Sequence, residues 1–416
     1  MSSARNPRFK ACAACTRAKR PCSKRLPRCD RCERRNIPCR YPPPYLTARD
    51  YAETDSGSAA TEASLTRTGA ALPIHVVSFE PSYPKTSEAQ PGDPFHPCCA
   101  GFPENTKTLP LGHDWFYRSD SWTISRSNTP SFPTEAFDVR ALKQYITTVQ
   151  SWLRLWVATG RSPFIHHRLY SPKMPRCVQD AYTALTAYLA RTPESSEICF
   201  QIIRDRAEGL VEEAQPTGGS MPLDPFDHLA RVHALFVYQM IGLFDGDIEL
   251  RVEAESRIST LTSWVAEMWD SAELDASLYS TMLALEQDVG SSEGTPTAAP
   301  TDETTAWRRW ILSESIRRAW IIVTITQSIY LLFKTGWSHC PGSVNWTPRA
   351  GVWDAPDQYD WCKLVMSGSG PLFIPGLRAD VLYKEASPSE VDEFGHAVLI
   401  AEFGSESMAK WKAHAA

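Results

Sequence analysis

The sequence predicts a small cysteine-rich module of two short helices, followed by a flexible linker and a mostly α-helical domain. Three observations lead to this prediction. Six of the twelve cysteines lie between residues 12 and 39. Thirteen of the 32 prolines fall between residues 42 and 134, in a stretch that is also rich in Ser and Thr. From about residue 135, apolar residues recur at the three- and four-residue spacing of helices. We therefore place the three regions at residues 10–42, 43–134 and 135–416.

The charge of the chain is divided unevenly between these regions. Residues 1–40 carry thirteen Lys and Arg against two acids, Asp30 and Glu33, which is a net charge of +11. Because the whole chain has a formal net charge of −5, the remainder carries −16. A basic end on an acidic chain is typical of a segment that binds a polyanion such as nucleic acid.

The N-terminal residues MSSARNPRFK contain no apolar signal region, so we expect the chain to stay in a reducing compartment. Closely spaced cysteines in such a compartment are expected to bind metal rather than to form disulfides. We expect no membrane partner, because the most apolar run, at residues 320–333, falls short of the roughly 20 residues that cross a bilayer.

The clustered cysteines follow the pattern C-x2-C-x6-C-x6-C-x2-C-x6-C, which consists of two nearly identical halves; they are Cys12, Cys15, Cys22, Cys29, Cys32 and Cys39. A C-x2-C pair on a helix places both thiolates on one face. Two tetrahedral zinc ions with only six cysteine ligands require two sulfurs to bridge both metals. The internal symmetry favours Cys12 and Cys29 as the bridging ligands.

The run ACAACTRAKRPCSKRLPRCDRCERRNIPCRYP, with Pro27 two residues before the fourth cysteine, resembles the fungal Zn2Cys6 binuclear cluster transcription factors. The resemblance spans residues 11–42, about a tenth of the chain. It implies two short helices around two zinc ions, Cys12 and Cys29 as bridges, double-stranded DNA as partner and a nuclear location. The basic segment 19–35 is also a candidate nuclear localisation signal. The alternative is a zinc module that only folds its own segment or binds another protein.

The predicted helix after Cys12 and Cys15 carries the candidate base reader. In the family this residue is a lysine four positions after the second cysteine, which is Lys19 here, and the resemblance implies a CGG half-site. Thr16 and Pro21 depart from the basic residues common in the family. The candidate phosphate contacts, each of which could instead be a solvated basic residue, are Arg17, Arg20, Lys24 and Arg25.

The segment 45–69 shows no apolar heptad that would predict a coiled coil. Binding as a monomer to one half-site and dimerisation through the helical domain both remain open.

Five segments after residue 135 have helical patterns: 139–156, ending near Gly160, then 181–190, 198–214, 225–246 and 307–333. Three runs resemble, more weakly, the helical regulatory region of fungal factors, especially regulators of secondary-metabolite gene clusters; they are SWLRLWVATGRSPFIHHRLY, DPFDHLARVHALFVYQMIGLFDGDIELR and ESIRRAWIIVTITQSIYLLF. The CTRAKRPC variant in the first half of the cluster indicates the same subgroup.

The helical domain contains no Walker loop, G-x-G-x-x-G turn, H-E-x-x-H helix or G-x-S-x-G elbow, and the pair His166 and His167 is typical of a loop. We therefore expect a regulator of RNA polymerase II genes that contacts the transcription machinery, not an enzyme. The run EVDEFGHAVLIAEF at residues 390–403 is either an acidic activation segment or a terminal amphipathic helix.

Overall fold

The computed structural model describes residues 15, 18, 20–23, 29–35, 37, 115–124, 138–214, 223–289, 303–338, 342–366, 372–373 and 379–414. The chain divides into two compact units, Met1–Leu72 and Pro73–Ala416. The first unit contains α1 (Asp30–Arg34) among its described residues.

The second unit is helical. Its helices are α2 (Val139–Thr159), α3 (Arg176–Leu189), α4 (Ser196–Glu213), α5 (Pro225–Phe244), α6 (Ile248–Ser256), α7 (Ile258–Val289), α8 (Glu303–Thr335), α9 (Gln358–Met366), α10 (Ala379–Glu385) and α11 (Glu393–His414), with 3-10 turns at Ser119–Trp122 and Pro388–Glu390. Arg349 and Val391 form an isolated antiparallel β-bridge, and none of the residues that the structure describes belongs to an extended strand. The prediction of a mostly α-helical domain is confirmed.

Helix α2 has the boundaries that its sequence predicts. The Asp138 carboxylate caps the first turn by accepting from the Ala141 amide at 3.0 Å. Gly160 ends the helix with a φ of 76°, a left-handed conformation that glycine adopts without a steric penalty.

Helix α5 lies at the centre of the domain and packs against α3, α6, α7 and α8. Every residue from Leu229 to Leu243 is buried, as its nearly continuous apolar sequence predicts. The helix begins with Asp224, whose carboxylate accepts from the Asp227 amide at 2.8 Å, and with Pro225 in the first turn.

Helix α8 extends four residues before and two residues after the predicted segment 307–333. From Thr304 to Thr335 it is long and apolar enough to cross a membrane, but 67% of its most apolar window is buried inside the domain. Arg317 and Arg318, at its middle, are 0% and 1% exposed. These features are those of a core helix of a folded domain.

Residues 115–124, which the sequence assigns to the linker, pack into the core of the helical domain. The Trp122 ring is 1% exposed and lies against Trp269, whose indole N–H donates to the Trp122 carbonyl at 2.7 Å. Arg317 Nη2 donates to the Phe116 carbonyl at 2.8 Å. The segment contains the 3-10 turn Ser119–Trp122, and aromatic burial together with this buried guanidinium attaches it to the domain.

The C-terminal run 390–403 is part of the same core. Phe394, Val398 and Leu399 are at most 3% exposed, and Phe394 stacks on Trp152 with ring centroids 5.7 Å apart. The alternative of a packed terminal helix is therefore the one that the structure shows.

His166 lies in a loop, as predicted, and is buried beside Trp353. Its Nδ1 accepts from the Arg168 amide at 3.1 Å, and burial holds its pKa well below the ordinary histidine value. This neutral, packed imidazole is a structural residue of the loop.

Candidate metal centre and nucleic-acid interface

Helix α1 brings two cysteines of the second half of the motif together. Cys29 is the N-cap residue, and its Sγ accepts from the Cys32 amide at 3.5 Å. Because Cys32 is the third residue of the helix, its side chain lies on the same side as the cap. Acids occupy the first turn and Arg31 and Arg34 the last, which complements the helix dipole.

Three sulfurs, one from the first half of the motif and two from the second, form the candidate metal centre. Cys15, Cys29 and Cys32 are all 0% exposed, and their Sγ atoms lie within 4.8 Å of one another. The Cys15 Sγ to Cys29 Sγ distance is 3.7 Å. A disulfide would require about 2.05 Å. Two thiolates on one tetrahedral zinc, each at about 2.3 Å, lie about 3.8 Å apart, so the donor set fits zinc.

The three sulfurs bring ligands from both halves of the motif together. Cys29 lies beside a cysteine of the first half, Cys15, and beside one of the second half, Cys32. A ligand that bridges two metals must lie beside ligands of both. The three sulfurs can accommodate a bridging thiolate from either half, and the assignment of Cys29 to that role stays a prediction.

The surroundings of the sulfurs are cationic and partly apolar. Arg31 Nη1 lies 3.8 Å from Cys15 Sγ, where it offsets the negative charge that thiolate ligands bring to a small module. Cys22 and Ile37 pack against the three sulfurs. Cys12 and Cys39, the remaining predicted ligands, lie outside the described residues.

Of the five predicted DNA contacts, the structure describes Arg20. Its side chain is exposed, and its amide donates to the Cys15 carbonyl at 3.0 Å, which closes the turn that follows the C-x2-C pair. The other four, Arg17, Lys19, Lys24 and Arg25, lie outside the described residues.

Two exposed arginines of the second half belong to the basic segment 19–35 but not to the predicted DNA contacts. Arg34 and Arg35 end α1 with their side chains in solvent, apart from one bond from Arg34 Nε to the Asp30 carbonyl at 3.2 Å. Arg34 follows Cys32 by two residues, as Arg17 follows Cys15. The internal duplication therefore contained the signal that identifies Arg34 as a surface cation.

Comparison with known families gives the class of the module. Residues 10–47 match the model of the fungal Zn(2)-Cys(6) binuclear cluster domain. The module is thus a domain that binds two zinc ions through six cysteines.

The similarity to a known protein extends over nearly the whole chain. The chain is 25% identical over 422 residues to Transcription factor gsfR2 of Penicillium aethiopicum, an alignment that covers 97% of this chain and 95% of that protein. No solved structure matches the chain significantly. The chain thus carries a Zn(2)-Cys(6) cluster domain and is similar over nearly its whole length to a transcription factor, and these two findings support a DNA-binding transcriptional regulator.

Proposed function

We propose that the chain is a nuclear, sequence-specific transcription factor of RNA polymerase II genes that reads CGG-type half-sites. The observation that carries this proposal is the thiol cluster of Cys15, Cys29 and Cys32, which fits zinc within a segment of net charge +11. Six thiolates and two zinc ions together contribute −2, so the loaded module retains about +9, which favours the release of counterions from DNA.

Base recognition is assigned to Lys19, whose ammonium would donate to O6 and N7 of guanine in the major groove. Arg17, Arg20, Lys24 and Arg25 would hold the phosphates, which positions the module without specifying sequence. Arg20 is exposed directly after the turn that begins at Cys15, so its side chain is accessible to a phosphate.

The regulated pathway is inferred from resemblance. The helical region and the CTRAKRPC variant resemble regulators of secondary-metabolite gene clusters. The Penicillium relative is a transcription factor, and its similarity to this chain extends over nearly the full length of both proteins. We infer a pathway-specific regulator of one biosynthetic gene cluster. Mapping chromatin occupancy of the tagged chain tests this: binding concentrated at one biosynthetic cluster is expected, and dispersed binding would contradict it.

The variants Lys19→Ala and Lys24→Ala test the proposed DNA recognition. Lys19→Ala should weaken binding to a CGG duplex by about 5- to 150-fold, the equivalent of roughly 1–3 kcal/mol, and change binding to a scrambled duplex little. Lys24→Ala should weaken binding to both duplexes alike and reduce the salt slope by about one.

Titrations on both duplexes at two salt concentrations separate these roles. If the CGG duplex carries a single half-site, the number of chains bound per duplex also decides between a monomer, which gives one, and a homodimer, which gives two. Equal losses on both duplexes for Lys19→Ala would refute its assignment as base reader. If the wild-type chain bound both duplexes equally, a zinc-dependent protein-interaction adaptor would replace the proposed function.

A further inference from the structure

Helix α7 presents a stripe of large apolar side chains to solvent. Leu274, Leu278 and Met282 are 62%, 59% and 59% exposed. Their spacing of four residues places them on one face of the helix. Substitutions at these positions are therefore expected to leave the packing of the domain intact.

The buried face of the same helix holds it rigidly in the domain. Leu261, Met268 and Trp269 are at most 1% exposed, and α7 packs against α5 and α8. The apolar stripe is thus presented on a preformed helix, which lowers the entropic cost of binding a partner.

The charged residues of α7 and of the chain up to Trp307 are all acidic, and Arg309, the cation that α8 places nearby, lies over the rings of Tyr279 and Tyr117. From Ile258 to Trp307 the sequence contains nine Asp and Glu and no Lys or Arg. Two of these acids are engaged within the domain: Glu267 pairs with Arg231, and Asp275 accepts from the Tyr117 hydroxyl. Asp270, one helical turn before Leu274, and the adjacent Glu273 are exposed.

We propose that this acidic apolar face, formed by Leu274, Leu278, Met282, Asp270 and Glu273, docks a component of the transcription machinery that presents an apolar groove rimmed by Lys and Arg. The chain thereby acts as an activator. An amphipathic helix that lays its apolar residues into a groove is a recurring mode of protein recognition. The proposal rests on the proposed function only in requiring that the chain acts at promoters.

Charge decides between this partner and a second copy of the chain. A symmetric pairing of two α7 helices would bring acids of both copies together. The segment itself supplies no cation to neutralise them, and the neighbouring Arg309 is half-buried over the Tyr117 and Tyr279 rings. A groove with a basic rim complements both the apolar stripe and its acids.

The test uses the full chain fused behind an unrelated DNA-binding domain, so that reporter output does not depend on the zinc module. The apolar variant is Leu274→Ser/Leu278→Ser/Met282→Ser. Its matched control is Ile248→Ser/Val252→Ser on α6, where the two side chains are 74% and 61% exposed. The apolar variant should lower output by about tenfold or more, because burial of even one Leu side chain changes affinity by that order.

A second pair of variants tests the charge of the partner. Asp270→Lys/Glu273→Lys should also lower output. Its matched control is Asp205→Lys/Glu208→Lys, which reverses two exposed acids at the same spacing on α4 and should not lower output. Promoter occupancy and thermal midpoints should stay at the wild-type values in all four variants.

Four results would overturn the proposal. Three of them are unchanged reporter output in the apolar and charge variants, equal losses of output in these variants and their controls, and loss of promoter occupancy in the variants. The fourth is a fall in the solution mass of the apolar variant, measured by sedimentation, which would identify a second copy as the occupant. The DNA titrations described above are independent of all four. Failure of this proposal is therefore distinguishable from failure of the proposed function.

Discussion

The substitution Arg318→Met tests what holds the helical domain together. Arg318 is 1% exposed and connects three parts of the chain. Its Nε donates to Glu314 at 3.1 Å, and its Nη2 donates to Asp392 at 2.5 Å. It also donates to the carbonyls of Pro163 at 2.7 Å and Thr347 at 2.9 Å.

Methionine fills similar space but leaves two buried carboxylates and two carbonyls without this donor. Removal of one partner from a buried ion pair costs about 3–5 kcal/mol, and each unsatisfied buried acceptor adds about 1 kcal/mol or more. Protonation of a carboxylate recovers part of that cost. We therefore expect the free energy of unfolding to fall by about 5 kcal/mol at pH 7, which approaches the total stability of many domains.

The pH dependence identifies the orphaned carboxylates as the cause. Burial already raises the pKa of Asp392 and of Glu314 above the ordinary carboxyl values, and loss of the Arg318 charge should raise both further. A carboxyl whose native pKa is raised loses stability as pH increases from its unfolded pKa toward its native pKa. The deficit of Arg318→Met relative to wild type should therefore be smaller at pH 5 than at pH 7.

Urea unfolding of the full chain, followed by tryptophan fluorescence, measures both quantities. Arg318→Lys should lose less stability than Arg318→Met, because it keeps the charge but not the forked geometry. Arg308→Met, at an exposed position of the same helix, should change the free energy by no more than about 0.5 kcal/mol. A loss below about 1 kcal/mol for Arg318→Met, or an equal deficit at both pH values, would refute the reasoning.

Three further predictions concern the metal centre and the helices. Metal analysis should give two zinc ions per wild-type chain. The variant Cys29→Ser should lose both ions and Cys22→Ser should lose one, because Cys29 is a predicted bridge and Cys22 is not. Equal losses in the two variants would contradict the bridging role. Gly242→Ala should lower the unfolding free energy by about 1–3 kcal/mol, because the new Cβ would lie 2.6 Å from the Ala254 Cβ and 2.9 Å from the Leu250 carbonyl oxygen. A melting temperature at or above that of the wild type would refute this packing. Gly209→Ala is the control, since its Cβ meets nothing within 4 Å, and it should stabilise α4 by about 0.5–1 kcal/mol. Residues 380–416 fused to an unrelated DNA-binding domain should not raise reporter output, because Phe394 and its neighbours belong to the core; a clear increase would restore the activation hypothesis.

The helices were predictable where periodicity and capping residues agree. Asp138 and Gly160 delimit α2, and Asp224 with Pro225 starts α5, so short-range signals alone locate these elements. The same signals could not assign residues 115–124. Their aromatic side chains have no helical or strand period, and their burial depends on Arg317, about 200 residues away in sequence.

Buried charge was the other feature that the sequence concealed. Arg317 and Arg318 interrupt the apolar pattern of α8, which favours exposure, yet both are buried. Arg318 is compensated by Asp392, 74 residues further along the chain, and Arg317 by carbonyls of residues 116 and 121. Non-local pairing of this kind leaves no mark on local periodicity.

The thiol cluster could be predicted from the sequence because ligand spacing is a chemical requirement and is visible in the sequence. The C-x2-C repeats led to the cluster in which the structure brings Cys15, Cys29 and Cys32 together. The contact of Arg31 with Cys15 joins the two halves of the motif in space, and sequence spacing could not reveal it.

The most direct test of zinc-dependent DNA recognition is a fluorescence anisotropy titration of the full chain on a CGG duplex and a scrambled duplex, before and after zinc removal by a strong chelator. With zinc bound, we predict that the CGG duplex is preferred by at least about tenfold, as expected when one base contact of about 1.4 kcal/mol discriminates. After chelation the preference should vanish and return when zinc is added back. Equal affinity for both duplexes in the zinc-bound state, or a preference that survives chelation, would contradict the account.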